Sequence, residues 1–193
     1  MLSAEQWTEG RVSSGFLGCP VCHARYAIRD GVADFTRGGE SADSVPSAGA
    51  ITATDGLRLA AQLDLSEGGG LVLLTAGYAK QAPALDASAD ITCLLLNATF
   101  AIPASMQAVG IRLLDRIPLV DGSLRGAAVD ESRASPFFLA EVCRCVRDGG
   151  RVVAPADAPP PETVRLLARD EREWVGEVER LPSLVTPQRR SLQ

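Results

Sequence analysis

The chain has 193 residues, 46% of them hydrophobic and 22% charged, with a formal net charge of −5. That length supports one full core plus a small appendage, and the composition is ordinary for a soluble globular protein. The negative balance gives no overall electrostatic footprint for nucleic acid, and no apolar run approaches the roughly 20 residues that span a bilayer.

The first ten residues, MLSAEQWTEG, lack the basic start and apolar core of a signal peptide. The five cysteines are odd in number, and Cys93, Cys143 and Cys145 fall inside apolar strand or helix patterns. That is not a disulfide framework, so a reducing cytoplasm is the expected location. Lys80 is the only lysine, and every other basic residue except His23 is arginine.

Three segments follow one another. Residues 1–36 carry a CPVC motif within a compact β-like pattern. Residues 37–50, RGGESADSVPSAGA, are small, polar and Gly/Pro-bearing, which predicts a linker. Residues 51–193 alternate helical and strand patterns, as in an α/β layer fold with a mainly parallel sheet.

Within the large segment, a helix is expected over 52–65, with Leu57, Ala60, Ala61 and Leu65 facing inward and Thr54 as a cap. GGG at 68–70 ends it. LVLLTAG (71–77) is apolar on both faces and reads as a central strand. A short helix near 79–88 comes next, then the strand ITCLLLNA (91–98), a short helix over 103–109 and a strand over 111–115. GAAVDE (126–131) is the fourth strand. Pro136 opens a helix over 136–147 whose stripe is Leu139, Val142, Cys143 and Val146, with Gly149 and Gly150 as its stop. RVVAPA (151–156) is the fifth strand. Residues 160–172 predict an Arg/Glu-rich helix, and 174–180 with 183–189 a closing antiparallel pair.

The run from Ile117 to Val153 has a DGS turn, a short apolar strand, an amphipathic helix, a DGG stop and a β-branched strand. This order resembles the second half of class I S-adenosylmethionine-dependent methyltransferases, where LPFPDGSFD precedes a strand, a helix ending LKPGG and a further strand. The resemblance covers about 52–190. It implies a doubly wound, mostly parallel, Rossmann-like sheet with its ligand crevice at the C-terminal ends of strands one, two and four.

The same resemblance assigns a cofactor site position by position. The family's first strand ends in an acidic residue and a Gly-rich turn; this chain has Thr75-Ala76-Gly77-Tyr78-Ala79-Lys80. The family's second strand ends in an acid that holds the ribose; this chain has Asn97. Asp115 stands near the adenine-contacting Asp, though closer to Pro118 than usual. Thr75, Gly77, Asn97 and Asp115 are thus the cofactor-binding candidates for S-adenosylmethionine. Each has an ordinary alternative: Gly77 as a turn glycine, Asn97 as a cap of the following turn. Tyr78, with or without Lys80, lines a rebuilt pocket or fills the vacated one. Asp130 and Glu131, at the end of the fourth strand, are either solvated or capping carboxylates or a base.

Residues 16–35, FLGCPVCHARYAIRDGVADF, resemble the C-terminal half of the small zinc-ribbon proteins that activate methyltransferases, whose ending is LxCxxCxxxYPIxDGIPxF. Cys19, Cys22, Tyr26, Ile28, Asp30, Gly31 and Phe35 match; Ala27 and Ala33 stand where prolines are usual. A structural zinc needs four ligands, usually from two such knuckles. Only Cys19 and Cys22 are available here, since no Cys or His precedes them and His23 is poorly spaced to join them. Zinc is therefore expected only if two chains share it. The alternatives are a metal-free ribbon packed through Tyr26, Ile28, Val32 and Phe35, or redox use of the pair without thioredoxin-like context. Cys143 and Cys145 diverge on their helix and should bind nothing together.

The expected function is a methyltransferase-like protein with an eroded cofactor site, acting as a non-catalytic scaffold or regulatory subunit. A protein partner or a homodimer goes with it. The alternative is an active methyltransferase of unknown acceptor.

Overall fold

The structure is a computed structural model and describes residues 1–8, 10–36, 53–88, 90–98, 102 and 106–180. The expected linker and the expected strand over 183–189 lie outside these residues.

The N-terminal segment is a meander: β1 (Leu2–Thr8), β2 (Arg11–Gly18), β3 (Arg25–Arg29) and β4 (Val32–Asp34). Its β3–β4 turn is Asp30-Gly31, and both residues have positive φ, 51° and 75°. A two-residue hairpin needs this because its twist then matches that of the strands, which is why a DG pair marks it. Tyr26 and Phe35 pack at 4.7 Å between ring centres.

The large segment follows with α1 (Ala53–Gln62), β5 (Leu71–Leu74), α2 (Ala76–Ala79), α3 (Ala82–Ser88), β6 (Thr92–Leu96), β7 (Ala108–Arg112), β8 (Leu124–Ala128), α4 (Pro136–Cys145), β9 (Val146–Pro155), β10 (Val164–Arg169) and β11 (Glu173–Val178). All strands join one mixed sheet in the order β1-β2-β3-β4-β7-β6-β5-β8-β9-β11-β10. From β4 to β9 every neighbouring pair is parallel. The N-terminal meander is therefore continuous with the α/β sheet: Val32, Ala33 and Asp34 pair with Gly110, Ile111 and Arg112.

Two cores lie on the two faces of this sheet. Along β5, Val72 and Leu74 join Leu59 of α1, Leu63 just after that helix and Leu85 of α3, while Leu73 joins the other cluster with Leu139, Val142 and Cys143 of α4. Alternation of side chains along the strand produces this division. Ile28 and Ala33 of the ribbon belong to the α4-side core, with Leu94, Leu96 and Ile111.

Several expectations need correction. Residues 164–169 form edge strand β10, not a helix; three prolines at 159–161 precede it, and antiparallel pairing with β11 supplies its backbone partners. β11 pairs with β9 and β10, so the closing pair is 164–169 with 173–178. Ala108 and Val109 start β7 rather than end a helix, and 103–105 lie outside the described residues. α1 presents Leu59 inward and Leu63 is buried just after its end, while Leu57 is 60% exposed. Gly56 sets this face, because an added Cβ there would lie 2.3 Å from the Ala84 Cβ. α4 begins as expected, with Pro136 in its first turn and Ser135 Oγ accepting from the Phe138 amide. It stops at Cys145, before Gly149, because Val146 turns extended and starts β9.

Candidate functional site

The chain order within the sheet reverses between β5 and β8. From β5 the chain winds outward through β6 to β7, and from β8 it winds the other way to β9. In open parallel sheets the ligand crevice opens at such a switch point, at the C-terminal strand ends. Thr75 and Gly77 follow β5 there, and Asp130 follows β8.

These three residues are bonded to one another. Thr75 is fully buried, and its hydroxyl donates to Asp130 Oδ2 at 2.9 Å. The Asp130 amide donates back to Thr75 Oγ1 at 2.8 Å. The Gly77 amide donates to Asp130 Oδ2 at 2.5 Å. Oδ1 of the same carboxylate accepts from the Ser132 amide and hydroxyl at 2.9 and 2.5 Å. Thr75 is the N-cap of α2 but makes no side-chain cap bond, so Asp130 satisfies an amide of that first turn. An added Cβ on Gly77 would lie 2.7 Å from the Asp130 Cβ. The glycine is thus needed for close approach, and what approaches is the chain's own carboxylate.

The Tyr78 side chain packs with the α1-side core and donates from its hydroxyl to Glu173 Oε2 at 2.9 Å. Burial, then the Glu173 carboxylate, holds its phenol far above the ordinary value. Glu173 also accepts from Gln62 Nε2 at 2.6 Å and from Arg58.

Asn97 is 6% exposed with φ of 51°, and its side chain is used up locally. Oδ1 accepts from the Leu113 amide at 3.1 Å, and Nδ2 donates to the Leu113 carbonyl at 3.3 Å. Its own amide donates to the Ile111 carbonyl at 2.8 Å. Asn97 therefore extends the β6–β7 pairing by one side chain. Asp115 is exposed, two residues beyond Leu113. Thr75 and Gly77 share the Asp130 carboxylate, whereas Asn97 bonds to Leu113 and Asp115 stands exposed.

Ser132 and Arg133 escaped the sequence reading. Arg133 donates to the carbonyls of Leu114 and Leu113, the latter at 3.5 Å, tying the chain after β7 to the chain after β8. Burial pulls its guanidinium below the ordinary value, against the pull of Asp115 and Asp130. The D-x-S spacing of Asp130 and Ser132 is a legible turn signal. The partner of the second carboxylate oxygen is not, since Gly77 lies 53 residues away.

Cys19 and Cys22 sit on the turn between β2 and β3. The Cys19 amide donates to the Ala24 carbonyl at 2.9 Å, and the His23 amide donates to the Cys19 carbonyl at 3.0 Å. The backbone N–H groups of Cys22 and Val21 face the Cys19 sulfur and pull its thiol below the ordinary value. Among the described residues, no group of three or more His, Cys, Asp or Glu could hold a metal ion. Two thiols do not complete a tetrahedral zinc site, so the described residues of one chain do not fit one. Also among the described residues, no helix is long and apolar enough to cross a membrane.

No protein-family model matches the chain, and no curated protein matches it. Solved structures resemble it in part. A putative S-adenosyl-L-methionine-dependent methyltransferase from Methanococcus maripaludis is 11% identical at a TM-score of 0.47, over 69% of this chain and 87% of that one. The [4+2]-cyclase SpnF is 15% identical at 0.44, over 53% of this chain and 44% of its own. The complex between the Haloferax volcanii Trm112 methyltransferase activator and the putative methyltransferase gives 18% identity at 0.41, over 51% and 50%. This chain thus spans less than half of the cyclase it resembles. No activity, cofactor or partner of this chain follows from these likenesses.

Proposed function

We propose that this chain is a methyltransferase-like protein that acts as a non-catalytic scaffold or regulatory subunit. In this reading it comprises a ribbon over 1–36, a linker over 37–50 and a doubly wound Rossmann-like domain over 51–193. One observation carries the reading: the Asp130 carboxylate bonds Thr75 and Gly77 across the switch point. A bound S-adenosylmethionine needs the glycine turn open, so that the backbone can approach its methionine part. Here that approach is taken by an anionic side chain held by four hydrogen bonds. Removing that carboxylate from its partners would cost more than a neutral contact, because charge-assisted bonds are the stronger kind.

Two further facts support the reading. Asn97, the ribose candidate, has both amide atoms bonded to Leu113. Asp115, the adenine candidate, stands exposed beside Arg133. Thr75, Gly77 and Asn97 thus all have partners within the chain. Function then lies in surfaces, with a protein partner or a second copy as the object, in the cytoplasm.

The test is calorimetric titration of the full chain with S-adenosylmethionine and S-adenosylhomocysteine. The expected result is no heat and no thermal shift at millimolar ligand. Micromolar binding that weakens in Asn97→Ala or Asp115→Ala would overturn the reading in favour of an active methyltransferase.

A further inference from the structure

We propose that Cys19 and Cys22 form a reversible disulfide, making the β2–β3 turn a thiol-exchange site for small disulfides of the glutathione class. Three features of the structure lead there. The first is proximity: Cys19 and Cys22 stand three residues apart on one tight turn. The turn that holds them is closed by the Cys19–Ala24 and His23–Cys19 backbone bonds, and Pro20 between them has a fixed φ. Little chain entropy remains to be lost on closing the ring.

The second feature is access. Cys22 is exposed and Cys19 partly so, whereas Cys93, Cys143 and Cys145 are buried. Those three sit in the two cores, so an external disulfide meets only the turn. The third is the lack of a competing role. The described residues offer these two thiols no further metal ligand, and neither belongs to the residues that meet at the switch point.

The chemistry balances without a metal. The exposed Cys22 thiolate attacks one sulfur of the small disulfide, forming a mixed disulfide and releasing one small thiolate. The Cys19 thiolate then attacks the Cys22 sulfur and releases the second. Two protein thiols lose two electrons, the small disulfide gains them, and the two thiol protons pass to the two small thiolates. Reduced glutathione runs the sequence backwards.

The experiment equilibrates the full chain in glutathione buffers running from fully reduced to fully oxidised. Remaining thiols are then alkylated in denaturant, and the digested protein is read by mass spectrometry, with zinc content measured alongside. The expected result is an intact monomer in which only Cys19 and Cys22 escape alkylation, joined in one peptide that has lost two hydrogens. In Cys19→Ser, a glutathione adduct should accumulate on Cys22 instead, because no second thiol displaces it. Three results would overturn the proposal. One is full alkylation of both thiols at the oxidising end; another is their loss only through covalent dimers. The third is one zinc per two chains with both thiols resistant to oxidation. None of these depends on whether S-adenosylmethionine binds.

Discussion

Asp130 Oδ2 accepts a hydrogen bond from the Gly77 amide at 2.5 Å, joining the ends of two neighbouring strands across 53 residues of chain. The contact makes Gly77 a packing requirement rather than a backbone one, since its φ is not positive. Alanine is otherwise favoured over glycine in a helix by up to about 1 kcal/mol. Gly77→Ala should therefore destabilise only because its Cβ meets Asp130. We expect a loss of about 1–3 kcal/mol, typical of overpacking. In Asp130→Gly the obstacle is gone, and adding Gly77→Ala should be neutral or stabilising. Urea denaturation of the four proteins of this cycle measures the coupling. Additive effects would reject the contact.

Asn97 makes a second, separable prediction. Its positive φ is tolerated by Asn and Gly but strained for Ala, and its amide makes two bonds to Leu113. Asn97→Gly should lose only the bonds, costing about 1–3 kcal/mol for the groups left unsatisfied. Asn97→Ala should cost roughly 1 kcal/mol more, for the left-handed backbone. Equal stabilities for the two variants would mean that φ is not held.

What the sequence made legible divides along chemical lines. α4 could be read because Leu139, Val142 and Cys143 repeat at helical spacing behind Pro136, and all three are buried. The Asp30-Gly31 hairpin could be read because few residue pairs fit two positive φ values. The face of α1 could not, because Leu57, Leu59, Ala60, Ala61, Leu63 and Leu65 satisfy more than one stripe. The choice depends on Gly56 meeting Ala84 of α3, a tertiary contact. β10 was obscured for a similar reason: VRLLAR has good helix formers, and pairing with β11 overrides them. Within the site, the positions of Thr75 and Gly77 after the first strand of the α/β segment were legible. Their partner Asp130 was legible only as a carboxylate at a strand end. Which atoms it binds depends on β5 and β8 lying side by side.

Glu141 supplies the pH dependence. Bonds from Arg144, at 2.7 and 3.0 Å, hold its carboxyl below the usual range despite burial, and the Ile117 amide adds a third at 3.1 Å. A folded-state value below the unfolded one, about 4.3, gives stability that is complete above that pH. It is lost as pH falls through the folded value. Glu141→Gln keeps an acceptor but cannot titrate. Denaturation midpoints should therefore differ by a constant amount above about pH 5, and the gap should shrink below about pH 4. Parallel curves over that range would mean Glu141 makes no ionic contribution.

The ribbon and the α/β segment should unfold together. Ile28 is 7% exposed and packs in the same core as Leu94, Leu96 and Ile111, while β4 covers the edge of β7 with parallel pairing. Removing that cover would leave the amide and carbonyl groups of β7 open, which natural sheets avoid. Truncating Ile28 to Ala should cost about 2–5 kcal/mol, as for other buried aliphatic side chains. If the two segments form one cooperative unit, that loss is felt at both ends of the shared core. Hydrogen exchange read by mass spectrometry can follow the peptides over 25–36 and 92–97 separately. In Ile28→Ala their protection should fall by the same factor. A fall confined to 25–36 would show that the ribbon opens by itself. The parallel β4–β7 pairing would then be an attachment between two independent units.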